Sequence, residues 1–238
     1  MAIVSADLET GDLSQFDYVD ADGGDLSVDA GHADHGVYGL SAYVDDTYRL
    51  TAYLDMPAYT NEGWSRFAFK IGDDFSQPAN SDVWLVRMHP ASGYYCAYAL
   101  LHRKSDDSGW TLSFRGRVDA EYRWIGAADD AGVPVVVDRW YAIEFHWKRA
   151  SGAGVEDGEV HVWVDGVLER YDEAWPSYSS MNVKRLSVEL KNMPANVLGH
   201  LYFDDLVCSS DGRVYPIRGR SCGQVNRVLG PGIGRQIT

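Results

Sequence analysis

Alternation of apolar and polar residues with a period of two runs along nearly the whole chain, and no stripe with the 3.6-residue period of a helix competes with it. From Arg139 to Lys148, Tyr141, Ile143, Phe145 and Trp147 fall on one side, and Glu144, His146 and Lys148 on the other. Val160, Val162 and Val164 alternate with Glu159, His161 and Asp165. Leu186, Val188 and Leu190 alternate with Arg185, Ser187, Glu189 and Lys191, and Tyr48, Leu50, Ala52 and Leu54 with Arg49, Thr51 and Asp55. Each pattern describes a strand with one face in a core and one in water.

Turn residues separate these segments. Asp165-Gly166 sits where a hairpin would reverse, and Asp22-Gly23-Gly24, Ser92-Gly93, Ser108-Gly109 and Ser151-Gly152 mark further reversals. About a dozen strands joined this way predict an all-β fold, a two-sheet antiparallel sandwich with very little helix. The 238 residues suffice for one such domain, and 45% hydrophobic content excludes a disordered chain. Periodicity fades after Ser209-Ser210-Asp211-Gly212, where scattered Gly and Pro suggest an extended arm. The expected division is therefore a sandwich over 1–208 and an arm over 209–238.

Charge narrows the partners. A net charge of −14 argues against nucleic acid, whose binding requires clustered Lys and Arg. Residues 1–60 hold twelve Asp or Glu against the single base Arg49, whereas the arm carries Arg213, Arg218, Arg220, Arg227 and Arg235 against one Asp. An acidic face is commonly just a solvated face. The alternative is a complementary pair, with the basic arm of one copy lying on the acidic body of the next as a subunit contact. No stretch approaches the roughly 20 apolar residues that span a bilayer, and the N-terminus lacks the basic start of a signal peptide. Cys96, Cys208 and Cys222 show no CxxC spacing, so buried reduced thiols are expected, with a cytosolic origin slightly favoured.

Several segments, in order, resemble strands of the concanavalin A-like lectin/glucanase (LamG-like) jelly rolls. They are Asp7-Leu8-Glu9-Thr10-Gly11-Asp12-Leu13-Ser14-Gln15-Phe16, Ala33-Asp34-His35-Gly36-Val37-Tyr38-Gly39-Leu40, Trp140-Tyr141-Ala142-Ile143-Glu144-Phe145, Val162-Trp163-Val164-Asp165-Gly166 and Leu201-Tyr202-Phe203-Asp204-Asp205-Leu206. Phe203-Asp204-Asp205-Leu206-Val207-Cys208, followed by Asp211-Gly212, is similar to the end of jelly-roll structural proteins of tailed phages. In carbohydrate-binding members of this fold, a Glu of the opening motif and an Asp of the closing strand often hold a structural Ca²⁺. The resemblance thereby implies Glu9 and Asp204 or Asp205 as ligands, with carbonyls near Gly11 and Gly39. The competing reading has Asp204 and Asp205 capping a strand end and pairing with arginines of the arm.

Catalytic motifs of the fold were sought along single strands. The E-x-D-x-x-E strand that glucan hydrolysis on this fold would use is absent, and Glu156-Asp157-Gly158-Glu159 has the wrong spacing. The R-x-E-x-R strand and Gln-x-His pair that resemblance to polysaccharide lyases would call for are absent as well, and there is no G-x-S-x-G or H-E-x-x-H. Tyr94, Tyr95, Trp110, Trp124, Trp175 and Tyr178 lie in or beside turns, where flat rings could stack on sugars. Three function classes remain open. The favoured expectation is a non-catalytic virion structural or surface protein, a capsid decoration or tail-associated subunit, assembled with itself or other virion subunits and able to bind a glycan. The second is a carbohydrate-binding module or lectin domain of a secreted protein. The third is a divergent polysaccharide-active enzyme.

Overall fold

A computed structural model describes residues 2–90, 95–118, 121–152, 154–177 and 181–214. Sheet I contains β1 (Ile3–Ala6), β3 (Leu26–Ala30), β4 (Tyr38–Val44), β6 (Glu62–Ile71), β12 (Tyr141–Lys148), β13 (Gly158–Val164), β14 (Val167–Trp175) and β16 (Gly199–Ser209). Sheet II contains β2 (Tyr18–Asp20), β5 (Leu50–Thr60), β7 (Ser81–His89), β8 (Ala97–Arg103), β9 (Trp110–Val118), β10 (Glu121–Trp124), β11 (Val133–Val135) and β15 (Val183–Lys191). Every pairing between these strands is antiparallel, and the helical residues described form three single 3₁₀ turns. The expected two-sheet jelly-roll sandwich of the concanavalin A-like kind is what the chain forms.

The alternation seen in the sequence decides which side of each sheet faces inward. Ile143, Phe145 and Trp147 of β12, Val160 and Val162 of β13, and Leu186, Val188 and Leu190 of β15 are all buried in one core. Phe67, Phe69, Phe114 and Phe203 fill the space between the sheets. Burying a side chain of this size contributes about 2–3 kcal/mol, and the period of two fixes register because a one-residue slip would turn the whole set outward. The Asp165-Gly166 reversal between β13 and β14 has φ of 51° and 78°, the left-handed pair that a tight hairpin turn requires.

The termini of the sandwich meet. β1 pairs with β16 from Ile3 opposite Ser209 to Ala6 opposite Leu206, and the Ser210 amide donates to the Ala2 carbonyl at 3.0 Å. Cys96 and Cys208 are buried free thiols, and burial pushes the Cys208 thiol up to about 12.

The two sheets sit in the chain so that the order of sheet II, β10-β9-β8-β7-β15-β5-β2, lays seven strands side by side. The outward faces of these strands are where chemistry concentrates.

Candidate functional site

Cross-strand register builds one continuous row over the outer face of sheet II. Trp124 of β10 lies opposite Arg115 of β9, and Arg115 opposite Tyr98 of β8. Tyr98 lies opposite Arg87 of β7, Arg87 opposite Ser187 of β15, Ser187 opposite Tyr53 of β5, and Tyr53 opposite Tyr18 of β2. At about 4.8 Å per strand the row spans roughly 29 Å, the length of an oligosaccharide rather than of one sugar. A second row follows two residues along, with His89 opposite Arg185 and Arg185 opposite Asp55. A cleft of about 270 Å³ opens over the middle, lined by Tyr18, Arg49, Thr51, Tyr53, Arg87, His89, Tyr95, Arg185, Ser187 and Glu189.

His89 is held in one tautomer. One ring nitrogen, Nδ1, lies 2.7 Å from the Pro90 carbonyl, which can only accept, so Nδ1 carries the hydrogen. Nε2 then presents a lone pair, which accepts from the Ser187 hydroxyl at 3.0 Å. Burial, reinforced by the Arg87 guanidinium, holds the imidazole at about 3, well below the usual histidine range. His89 is therefore neutral at neutral pH, with its unprotonated nitrogen on the Ser187 hydroxyl in the cleft wall.

Positive charge surrounds it. Arg87 is 1% exposed, pairs with Glu189, and lies 3.8 Å over the Tyr95 ring. Its Nε and Nη1 are buried without hydrogen-bond partners. Burial lowers the guanidinium to about 10, still charged at neutral pH. Arg185 makes a two-pronged bond to Asp55, at 2.6 and 2.9 Å, and stacks 3.4 Å over Tyr53. Tyr53 stacks in turn on Tyr18 at 5.1 Å between ring centres. In a chain of net charge −14, this cleft brings Arg49, Arg87 and Arg185 together with Tyr18, Tyr53 and Tyr95.

The structure sorts the residues singled out in the sequence. Tyr95 belongs to the cleft, and Trp124 lies at the end of the row with Arg115 stacked 3.7 Å over it. Trp110 lies at the rim of the same sheet under Arg103. Trp175 does not face a ligand: it is 1% exposed, and its indole N–H donates to the Arg117 carbonyl. It follows β14 into the core, because the strand's last residue turns inward. Tyr94 and Tyr178 lie outside the described residues. So do Arg218, Arg220, Arg227 and Arg235. Arg213 grips Glu144 of its own β12 at 2.8 and 3.2 Å and covers Trp163.

The expected calcium ligands come together in a different arrangement. Both Glu9 oxygens accept the Val37 amide, and one also accepts Tyr38 at 3.1 Å. Asp204 accepts the Asp34 and His35 amides at 2.9 Å each. The two carboxylates thereby stitch the 34–38 turn to the start of the chain and to β16. That turn passes close: a side chain at Gly36 would collide with the Glu9 carboxylate, and one at Gly39 with the His32 carbonyl. Gly11 packs against the Tyr38 ring. Burial pushes Asp204 up to about 7 and raises Asp205, whose neighbours include Arg66. Oxygen and nitrogen ligand atoms converge at two other places among the described residues, His146 with Glu159 and His161, and Asp82 with His102 and Asp129.

Comparison with known proteins bears on this face. No family model and no curated protein matches the sequence. Among solved structures, the endo-β-1,4-glucuronan lyase of the fungus Trichoderma reesei superposes with a TM-score of 0.61 at 15% identity, over 84% of this chain and 92% of that one. Alginate lyase Aly36B, solved with an alginate trisaccharide, gives 0.67 at 9% identity, over 87% and 97%. The calreticulin globular domain of T. cruzi gives 0.52 at 10%, over 88% and 84%. At these identities the likeness is one of fold. The expectation of a non-catalytic virion protein, and of no enzymatic activity, is corrected by the glucuronan and alginate lyases among these neighbours, and neither a phage link nor the secreted-lectin alternative is supported by them. The search along single strands went astray because the charged residues are spread over β5, β7 and β15. His89, Arg87, Tyr53 and Ser187 were missed for that reason, although Arg87-x-His89 was there to be read.

Proposed function

We propose that this protein is a polysaccharide lyase that cleaves a uronic-acid polymer by β-elimination across the outer face of sheet II. The observation that carries the reading is the neutral His89, its Nε2 lone pair held by the Ser187 hydroxyl and flanked by Arg87 and Arg185 in a row long enough for several sugars. The glucuronan and alginate lyases among the structural neighbours support the same reaction class.

The chemistry follows from the charges. The proton on C5 of a uronate is weakly acidic because its removal puts negative charge beside an existing carboxylate. Guanidinium groups on that carboxylate stabilise the developing dianion, an electrostatic term usually the largest in such sites. Arg87, with two unsatisfied donors, and Arg185 fill this role. His89 Nε2 takes the C5 proton as Ser187 releases it. Electrons of the broken C–H bond form the C4–C5 double bond, and the C4–O bond breaks. Tyr53, across β15 from His89 and next to Ser187 in register, gives its hydroxyl proton to the leaving oxygen. The carboxylate also answers the low affinity of His89 for a proton. Its negative charge offsets the two guanidiniums and raises the imidazole toward the range of a useful base.

The test is incubation with alginate, with glucuronan and with a neutral glucan, following the ultraviolet absorbance of an unsaturated uronate end. The reading expects absorbance from at least one polyuronate and none from the glucan. His89→Ala should lower kcat by about 10²–10⁴-fold, and Tyr53→Phe should lower it more than Tyr95→Phe. Folded protein without eliminase activity on either polyuronate would overturn the reading.

A further inference from the structure

The outer face of sheet I carries a different set of residues, remote from the cleft. We propose that His146, His161 and Glu159 form a binding site for a divalent transition-metal ion of the zinc class, which clamps β13 and the edge strand β14 to the rest of sheet I.

Register puts the two histidines together. His146 of β12 lies directly opposite His161 of β13, and Glu159 points from the same face two residues along. Their rings are parallel within 11° at 5.3 Å, and the two Nδ1 atoms face each other at 3.0 Å. Each ring has its other nitrogen on a carboxylate: His146 Nε2 lies 2.8 Å from Glu62, and His161 Nε2 lies 3.5 Å from Glu173. The Glu62 carboxylate can only accept, so His146 Nε2 carries the hydrogen and its Nδ1 lone pair faces His161 Nδ1. An ion beside both Nδ1 atoms takes the place of the hydrogen bond that they share without it. One ligand atom from each of His146, Glu159 and His161 lies within 4.8 Å of the others.

This is the donor set of a zinc-class ion, two imidazoles and a carboxylate with a position left open. Carboxylates on the outer nitrogens are the usual second support of metal-binding histidines, fixing tautomer and ring orientation. Trp64 adds rigidity, stacking on His146 at 4.0 Å. Lys148 holds Glu159 in the metal-free protein and gives it up to the ion.

The experiment titrates Zn²⁺ alone into metal-free, tag-free protein by calorimetry, with Co²⁺ in parallel for its visible absorption. The proposal expects one saturable Zn²⁺ per chain, tetrahedral-type Co²⁺ bands, and a Tm raised by about 5 °C or more at a hundredfold excess over Kd. His161→Ala, on the outer face of the sheet with its side chain 13% exposed, should fold and lose the site. Glu62→Gln leaves all three ligands in place and should weaken binding about 10–100-fold. Absent saturable binding in the wild type, or wild-type affinity in His161→Ala, would overturn the proposal. Because the cleft lies on the other sheet, polyuronate cleavage by His161→Ala should match the wild type.

Discussion

The two outer faces of this sandwich use similar residue types for opposite electrostatic ends. On sheet II the histidine has arginines for neighbours, a carbonyl on one nitrogen and a hydroxyl on the other. On sheet I the histidines have carboxylates on their outer nitrogens and one another on the inner ones. The first surrounding puts arginines beside a lone pair that a hydroxyl engages, which suits an anionic ligand. The second sets two ring nitrogens face to face among carboxylates, which suits a cation. What an imidazole is for is thus decided by the cross-strand neighbour, not by the strand that carries it.

The strongest way to break the comparison is to remove the buried cation of sheet II. Arg87 and Glu189 are both nearly inaccessible, at 1% and 6% exposure, so Arg87→Ala leaves a buried carboxylate with only the half-exposed Arg49, 3.8 Å away, beside it. The expected cost is about 3–5 kcal/mol, seen as a fall of roughly 10 °C or more in Tm. Arg87→Leu combined with Glu189→Leu should regain most of that stability while polyuronate cleavage stays lost, which separates the arginine's ligand role from its structural one. On sheet I the Lys148–Glu159 pair is partly exposed, so Lys148→Ala should change stability by no more than about 1 kcal/mol. Equal losses at the two sites, measured by denaturant unfolding, would erase the contrast.

A second test uses pH, and the sign differs between two buried groups. His89 is held below its ordinary value, so it favours the folded state fully above about 6.5, and that contribution is lost as pH falls toward about 3. Asp204 is raised, so its contribution is present below about 4 and lost as pH climbs through about 7. The two windows overlap between about pH 4 and 6.5, where the opposite slopes offset each other. His89→Gln should leave a stability that falls as pH rises from about 4 to 7, and Asp204→Asn one that rises with pH from about 3 to 6.5. Thermal melts across this range check both, and a variant that tilted the curve the other way would reverse the assignment.

Much of this architecture was legible in the chain, and the limit has a physical origin. Alternation in Arg185, Ser187 and Glu189 against Leu186, Val188 and Leu190 gives a strand, its inner face and its polar face. It does not say which residue of β7 or β5 stands opposite Ser187, because register is set by pairing over long sequence distances. A motif confined to one strand survives that ignorance, and a site assembled across three strands does not. The metal set suffered likewise: His146 and His161 were both readable as outward residues, yet nothing local placed them face to face. Trp175 failed for a simpler reason, since a ring next to Pro176 reads as a turn residue until the strand end is seen to enter the core.

The smallest expected effect concerns where the chain goes after the sandwich. The arm was expected to lie on a neighbouring copy, and its one described arginine lies on its own body. Arg213 makes two bonds to Glu144 and covers the Trp163 ring at 4.5 Å. The Arg213 side chain is about one-third exposed, so solvent screening leaves the ion pair about 0.5–1 kcal/mol, with a comparable amount from the ring contact. Arg213→Ala should lower Tm by about 2–4 °C and leave the mass in solution unchanged, as light scattering after size exclusion would measure. The ring contact ties this segment to sheet I, the face with the histidine pair, and not to the cleft. Polyuronate cleavage should accordingly be untouched. A drop in mass on losing this one guanidinium would instead mean that it bridges copies, and the outer face of sheet I would then be an interface as well as a metal site.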